Sequence, residues 1–201
     1  MQGQTSFPQN KSIDITPIKK TLLNLMNKVF EGNQLNEKEF NFIIEIVKLN
    51  PNILSEIGFS PENIYELIEK NEPLASAIYV NISDSHGYED YLKFFLLKKF
   101  SINTMKTFNK LIQRIEFPSI FIMAYLKKVI LEFKNELNKQ QKERMAKLIG
   151  YFILNLLNHE HITIDIIPTT INFIFNENYD DKEIKILQEK IYAYRNTKNN
   201  I

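Results

Sequence analysis

The chain has 201 residues, of which 44% are hydrophobic and 24% charged, with no Cys and no Trp. That length suits one domain with a buried core, and the missing Cys excludes a disulfide scaffold, a thiol nucleophile and any Cys-ligated zinc or iron–sulfur site. With only five Gly, a glycine-rich phosphate loop is also disfavoured, and the formal charge is just +1.

Residues 1–14 are rich in Gln, Asn and Ser and read as a flexible segment, without the basic-then-apolar pattern of an export signal. The default location is then cytoplasmic, with the nucleus also open. Thr16 as N-cap and Pro17 at the first helical position open a helix with Ile18, Leu22, Leu25, Met26 and Val29 on one face, closed by Gly32. Asn36 with Glu39 three residues on is a capping-box pattern leading into Phe40, Ile43, Ile44 and Val47. Ser60 and Pro61 start a helix carrying Ile64, Leu67 and Ile68, and Pro73 opens a short one through Ala77, Ile78 and Ile82.

Asp84 to Gly87 reads as a loop, followed by a helical stretch from Tyr88 to Leu97. Ser101 caps a helix with Met105, Phe108, Leu111, Ile112 and Ile115. Phe117 and Pro118 then break the chain before a long helix whose predicted core stripe is Ile122, Leu126, Val129, Ile130, Phe133 and Leu137. Gln140 to Asn158 repeats the design with Met145, Leu148, Ile149, Phe152, Ile153, Leu156 and Leu157. Thr163 is placed to cap a helix through Ile167, Ile171, Ile174 and Phe175. Asp180-Asp181-Lys182-Glu183 is a second capping-box-like pattern before Ile184, Leu187 and Ile191. Only Ile162 to Ile164 and Ile166–Ile167 look β-like, and they are too short to outweigh their surroundings. The expectation is an all-α fold of about nine or ten helices. These pack as antiparallel hairpins in a compact bundle or short solenoid, with one helical interaction domain over 15–194 and a flexible tail over 195–201.

Charge is unevenly spread. Residues 1–90 carry a net −6, residues 91–147 a net +9 and residues 148–201 a net −2. A basic block of that kind attracts RNA or an acidic partner segment, although solvated helix faces explain it more simply. The longest apolar run, Ile120 to Leu126, has seven residues, far short of the roughly 18 that suggest a membrane span. No membrane association is expected.

Catalytic chemistry finds little support. His159 and His161 with Asp165 suggest a metal site, but this spacing puts the rings on different helix faces and no further ligand set is present. His86 follows Ser85, yet adjacent side chains in a loop rarely converge and no nucleophile elbow surrounds them. Neither an enzyme nor a cofactor is expected. RNA readers expose aromatics for stacking, whereas the aromatics of the basic block fall on apolar stripes, so at most weak RNA binding is expected there.

The order of motifs resembles one family. These are Leu49-Asn50-Pro51 with Ile57-Gly58-Phe59-Ser60-Pro61, then Leu67 to Ala75 through Asn71 and Pro73, and Ser101, Met105, Asn109 and Leu111. Phe117 to Ile122 and Arg144 before Leu148 and Phe152 complete the series. Together they are similar to the C-terminal domain of subunit 11 of the carbon catabolite repression–NOT (CCR4-NOT) deadenylase complex. The resemblance implies a non-catalytic module of the machinery that shortens mRNA poly(A) tails, acting as a platform for other subunits and adaptor proteins. The family's separate N-terminal docking region is not recognised here, so the expectation is a distal domain, a fragment or a short paralogue. The loop around Gly87 also departs from the family pattern. On this reading the candidate partner-binding residues are Asn71, Pro73, Phe117, Phe121, Tyr125, Lys128 and Arg144, near the Asn71–Pro73 turn and the proline break. Asn71 and Pro73 also have a simpler role in shaping the turn. An RNA-binding domain using residues 91–147 is the alternative, and a hydrolytic or metal enzyme built on His159, His161 and Asp165 ranks third.

Overall fold

Asn36 shows how the helices begin. Its Oδ1 accepts the Glu39 N–H at 3.0 Å, while the Glu39 carboxylate takes the Asn36 N–H at 2.8 Å, so two otherwise orphaned donors are satisfied reciprocally. Ser60 does the same with Asn63, and Ser101 with Thr104. The computed structural model describes residues 15–83, 87–162, 174–175 and 181–198, the last four by backbone only. Among these residues it contains ten helices and no strand, which is the all-α fold expected.

In chain order they are α1 (Thr16–Phe30), α2 (Glu37–Leu49), α3 (Ile53–Glu56), α4 (Pro61–Lys70) and α5 (Glu72–Asn81). After these come α6 (Tyr88–Leu97), α7 (Ile102–Leu111), α8 (Ser119–Asn135), α9 (Lys139–Asn158) and α10 (Lys182–Lys198). One contiguous apolar core runs from Leu22 in α1 to Ile191 in α10.

Several local details differ from expectation. Ile15, not Thr16, holds the N-cap position of α1, with no side-chain cap, because Pro17 can occupy the second helical position as readily as the first. The single turn α3 was not anticipated, since four residues carry no periodicity. The α8 stripe is Ile122, Tyr125, Leu126, Val129 and Phe133. The helix ends at Asn135, so Leu137 falls beyond it and is 96% exposed. Within the expected capping segment, Asp181 caps α10 by accepting the Glu183 N–H at 2.8 Å. The expected segment 1–14, the loop at Asp84 to His86, and the cap at Thr163 with the residues after it to Ile171 lie outside the described residues. So do Asp180 and positions 199–201, while the backbone of 195–198 continues α10.

Helices two apart in sequence pack alongside one another, as in stacked hairpins. Phe121 of α8 shares a cleft with Tyr88 and Leu92 of α6, while Lys128, two turns on, reaches Phe95. These two helices therefore run in the same direction. Phe108 of α7 is the hub of the core. Its ring lies 4.2 Å from Tyr125, 5.0 Å from Phe117, 5.3 Å from Phe95 and 5.6 Å from Phe152, which ties α6, α7, α8 and α9 into one aromatic cluster.

Candidate functional site

The α7–α8 junction is where the chain opens a surface. The N–H groups of Arg114 and Ile115 both bond to the Leu111 carbonyl, which turns the chain out of α7, and Pro118 then supplies the N-cap of α8 with no side-chain cap. Phe117 is drawn into the core beneath this turn, stacked on Phe121 at 5.9 Å. Between the junction and α6 lies a cleft of about 630 Å³. Tyr88, Leu92, Leu96, Ile115, Pro118 and Phe121 give it apolar surface, and Ser83, Glu89, Lys93, Arg114 and Glu116 add polar surface. Arg114 and Glu116 are exposed and neither has an ion-pair partner among the described residues, whereas Lys93 pairs with Asp90. Tyr88 contributes a buried hydroxyl without a hydrogen-bond partner among the described residues, and burial pushes its pKa well above the usual tyrosine value. The volume falls within the roughly 300–1,000 Å³ of ligand sites, and walls that mix apolar side chains with charges suit a partner segment that is apolar on one side and polar on the other.

The seven candidate residues do not gather on this cleft. Phe121 lines it. Tyr125 is 1% exposed and Phe117 7%, so both are occupied by the core around Phe108. Lys128 is half-buried and spends its ammonium on the backbone carbonyls of Phe95 and Lys98. Asn71 ends α4 and caps α5, its Oδ1 accepting the Leu74 N–H at 3.1 Å, while Pro73 sits exposed in the first turn of α5. Arg144 is exposed on a separate furrow between α7 and α9. Arg114, Ile115 and Glu116 were not singled out as partner-binding residues. The Pro118 break was the signal that could have found them.

Part of the basic block is answered by acids from elsewhere in the chain. Lys98 pairs with Glu62, Lys110 with Glu72 at 2.8 Å, and Lys147 with Asp181 at 2.6 Å and Glu183 at 2.9 Å. The Glu72 carboxyl is partly buried, which alone would raise its pKa. Hydrogen bonds from Lys110, Ser76 and Thr107 outweigh that and hold it below the usual 4.5. His161 places Nε2 2.9 Å from the Ile112 carbonyl, a contact that closes the chain after α9 against the end of α7. Its ring lies 6.1 Å from that of His159, and Asp165 is outside the described residues. Among the described residues no three His, Cys, Asp or Glu side chains come together as metal ligands would.

Residues 68–191 match the family model described as CCR4-NOT transcription complex subunit 11. A Dictyostelium discoideum protein named CCR4-NOT transcription complex subunit 11 is 24% identical over 146 residues, which is 73% of this chain. The match spans 22% of that relative's length. The matched family region begins within α4 and ends within α10, and so includes every helix that walls the cleft and the α7–α9 furrow.

Proposed function

The chain belongs to the CCR4-NOT transcription complex subunit 11 family, and from that premise we propose that it is a non-catalytic protein–protein interaction module of the CCR4-NOT complex. It is a platform that holds partner proteins next to the machinery of mRNA deadenylation. The observation that carries this reading is the solvent-open cleft between α6 and the α7–α8 junction, lined by apolar and charged side chains with unpaired Arg114 and Glu116 among them. Packed helices leave such grooves between them, and grooves of this kind take a partner's helix or extended segment by its apolar side chains. A charged lip then adds register and selectivity more than affinity.

RNA binding through residues 91–147 is less well supported. RNA affinity from a basic face scales with the number of phosphates that free cations can neutralise. Here Lys98, Lys110 and Lys147 already face carboxylates, and Lys128 faces carbonyls. No helix among the described residues is long and apolar enough to cross a membrane. The proposed setting is the cytoplasm, with the nucleus as a second compartment.

The test is affinity purification of the tagged chain from nuclease-treated lysate of its own cells, run beside an Arg114→Glu, Ile115→Asp variant of equal melting temperature. Recovery of CCR4-NOT subunits or a defined adaptor, lost with the variant, is the expected result. Recovery that depends on intact RNA would overturn the reading in favour of the basic block.

A further inference from the structure

The furrow between α7 and α9 is separate from the cleft. Asn155 donates to Asn109 at 2.8 Å, and Ile102 and Leu148 share the furrow, so the two helices run in the same direction with Ile102 level with Leu148. The space between them is about 370 Å³, with an apolar floor of Ile102, Leu148 and the ring of Tyr151, which is 43% exposed. Three cations border it: Lys106, Arg144 and Lys147.

The charge of Lys147 is taken up by Asp181 and Glu183, and the Tyr151 hydroxyl also donates to Glu183 at 2.5 Å. Those carboxylates are thereby tied to the α10 side. Lys106 and Arg144 are exposed, and neither has a carboxylate partner among the described residues. Arg144 lies four residues before Leu148 and Lys106 four after Ile102, so in parallel helices they stand at opposite ends of the floor. At 1.5 Å per residue their separation along the furrow is roughly 12 Å, about two helical turns.

We propose that this furrow docks an acidic amphipathic helix of a partner protein. Two carboxylates about two turns apart meet Arg144 and Lys106, and a large apolar side chain between them rests on Ile102, Leu148 and Tyr151. The inference rests on the interaction-module reading above and names the chemistry of one of its partners. Arg is suited to the carboxylate by its planar, bidentate donor geometry. The apolar floor supplies the anchor that surface charges alone do not.

A phage-displayed library of random sixteen-residue peptides, panned on the whole chain, tests this without a known ligand. Enriched peptides should carry paired Asp or Glu flanking Leu, Phe or Trp. A fluorescein-labelled synthetic copy of the most enriched peptide should bind an Arg144→Glu, Lys106→Glu double variant at least about tenfold more weakly. Both side chains are exposed, so the melting temperature of the variant should match the parent. Replacing the peptide's acids with Lys should restore binding to the double variant. Peptides that bind parent and variant equally would overturn the furrow but leave the module reading standing. Enrichment no greater than on an unrelated helical protein would overturn both. An oligouridylate RNA that binds through the same two residues, with no peptide selected, would replace this proposal with an RNA site.

Discussion

The Lys128 ammonium donates to the Phe95 carbonyl at 2.8 Å and also to the Lys98 carbonyl, so α8 holds the last turn of α6 by its backbone. The last carbonyls of a helix have no partners within it, and a cation there also meets the negative end of the helix dipole. Burial lowers the pKa of this ammonium, and Glu132 partly offsets the effect. Lys128→Met keeps the apolar stem and removes the bonds. The expected loss is about 1–3 kcal/mol in urea unfolding, against less than about 0.5 kcal/mol for the exposed neighbour Lys127→Met. Equal effects at the two positions would show that the contact carries no stability.

Asn71 closes one helix and opens the next. Its side chain satisfies the Leu74 N–H of α5, and its own N–H bonds to the Leu67 carbonyl of α4 at 2.7 Å. Asn71→Ala should therefore cost about 1 kcal/mol, while Asn71→Ser, which keeps a capping oxygen, should recover most of it. The expected signature is a lower melting temperature with partner binding unchanged below the transition. Lost binding at an unchanged melting temperature would instead place Asn71 in an interface.

The helix starts at Asn36, Ser60 and Ser101 were legible because a cap and its partner lie three residues apart and need nothing distant. The core faces of α1, α2 and α9 were legible for a related reason, since periodicity reports which side is apolar. Periodicity does not report where a helix stops, which is why Leu137 was assigned to the core and lies exposed. Tyr125 and Phe117 were set among surface candidates because an aromatic near a proline break reads alike inside and out. Only the ring of Phe108, reached from another helix, shows which it is. The pairing of Lys98 with Glu62 and of Lys110 with Glu72 joins residues more than thirty apart, so a charge count by segment overstated the free positive field. The family itself was legible in the order of short motifs, none of which was specific alone.

Glu72 should make stability depend on pH. Its carboxylate receives Lys110 at 2.8 and 2.9 Å and the Ser76 hydroxyl at 2.6 Å, and its folded pKa lies below the ordinary 4.5. A carboxyl with a depressed folded pKa contributes stability above its unfolded value and loses it as pH falls through the folded one. Glu72→Gln should cost about 1–3 kcal/mol at neutral pH, and the gap to the parent should shrink in acid, below the carboxylate range. Urea unfolding of both proteins across that range measures it. A gap that stays constant would mean that the charge on Glu72 is not what stabilises the fold.

Gly150 sets how closely α9 approaches α10. A Cβ there would meet Leu187 Cδ1 at 3.2 Å, Phe175 Cζ at 3.3 Å and Leu187 Cβ at 3.4 Å. Two effects then oppose each other in Gly150→Ala. Helix propensity favours Ala by about 1 kcal/mol, while overpacking costs about 1–3 kcal/mol. The nearest atoms are ends of side chains that can shift a few tenths of an ångström, so the net change should stay within about 1 kcal/mol. Gly150→Val adds two methyl groups and a β-branch against the same wall, and should lose more than about 2 kcal/mol. Pairing it with Leu187→Ala removes the obstructing side chain, so the double variant should lose less than the sum of the two single changes. Strict additivity in that cycle would place the cost of Val within α9 or against Phe175 and not in its contact with Leu187 of α10.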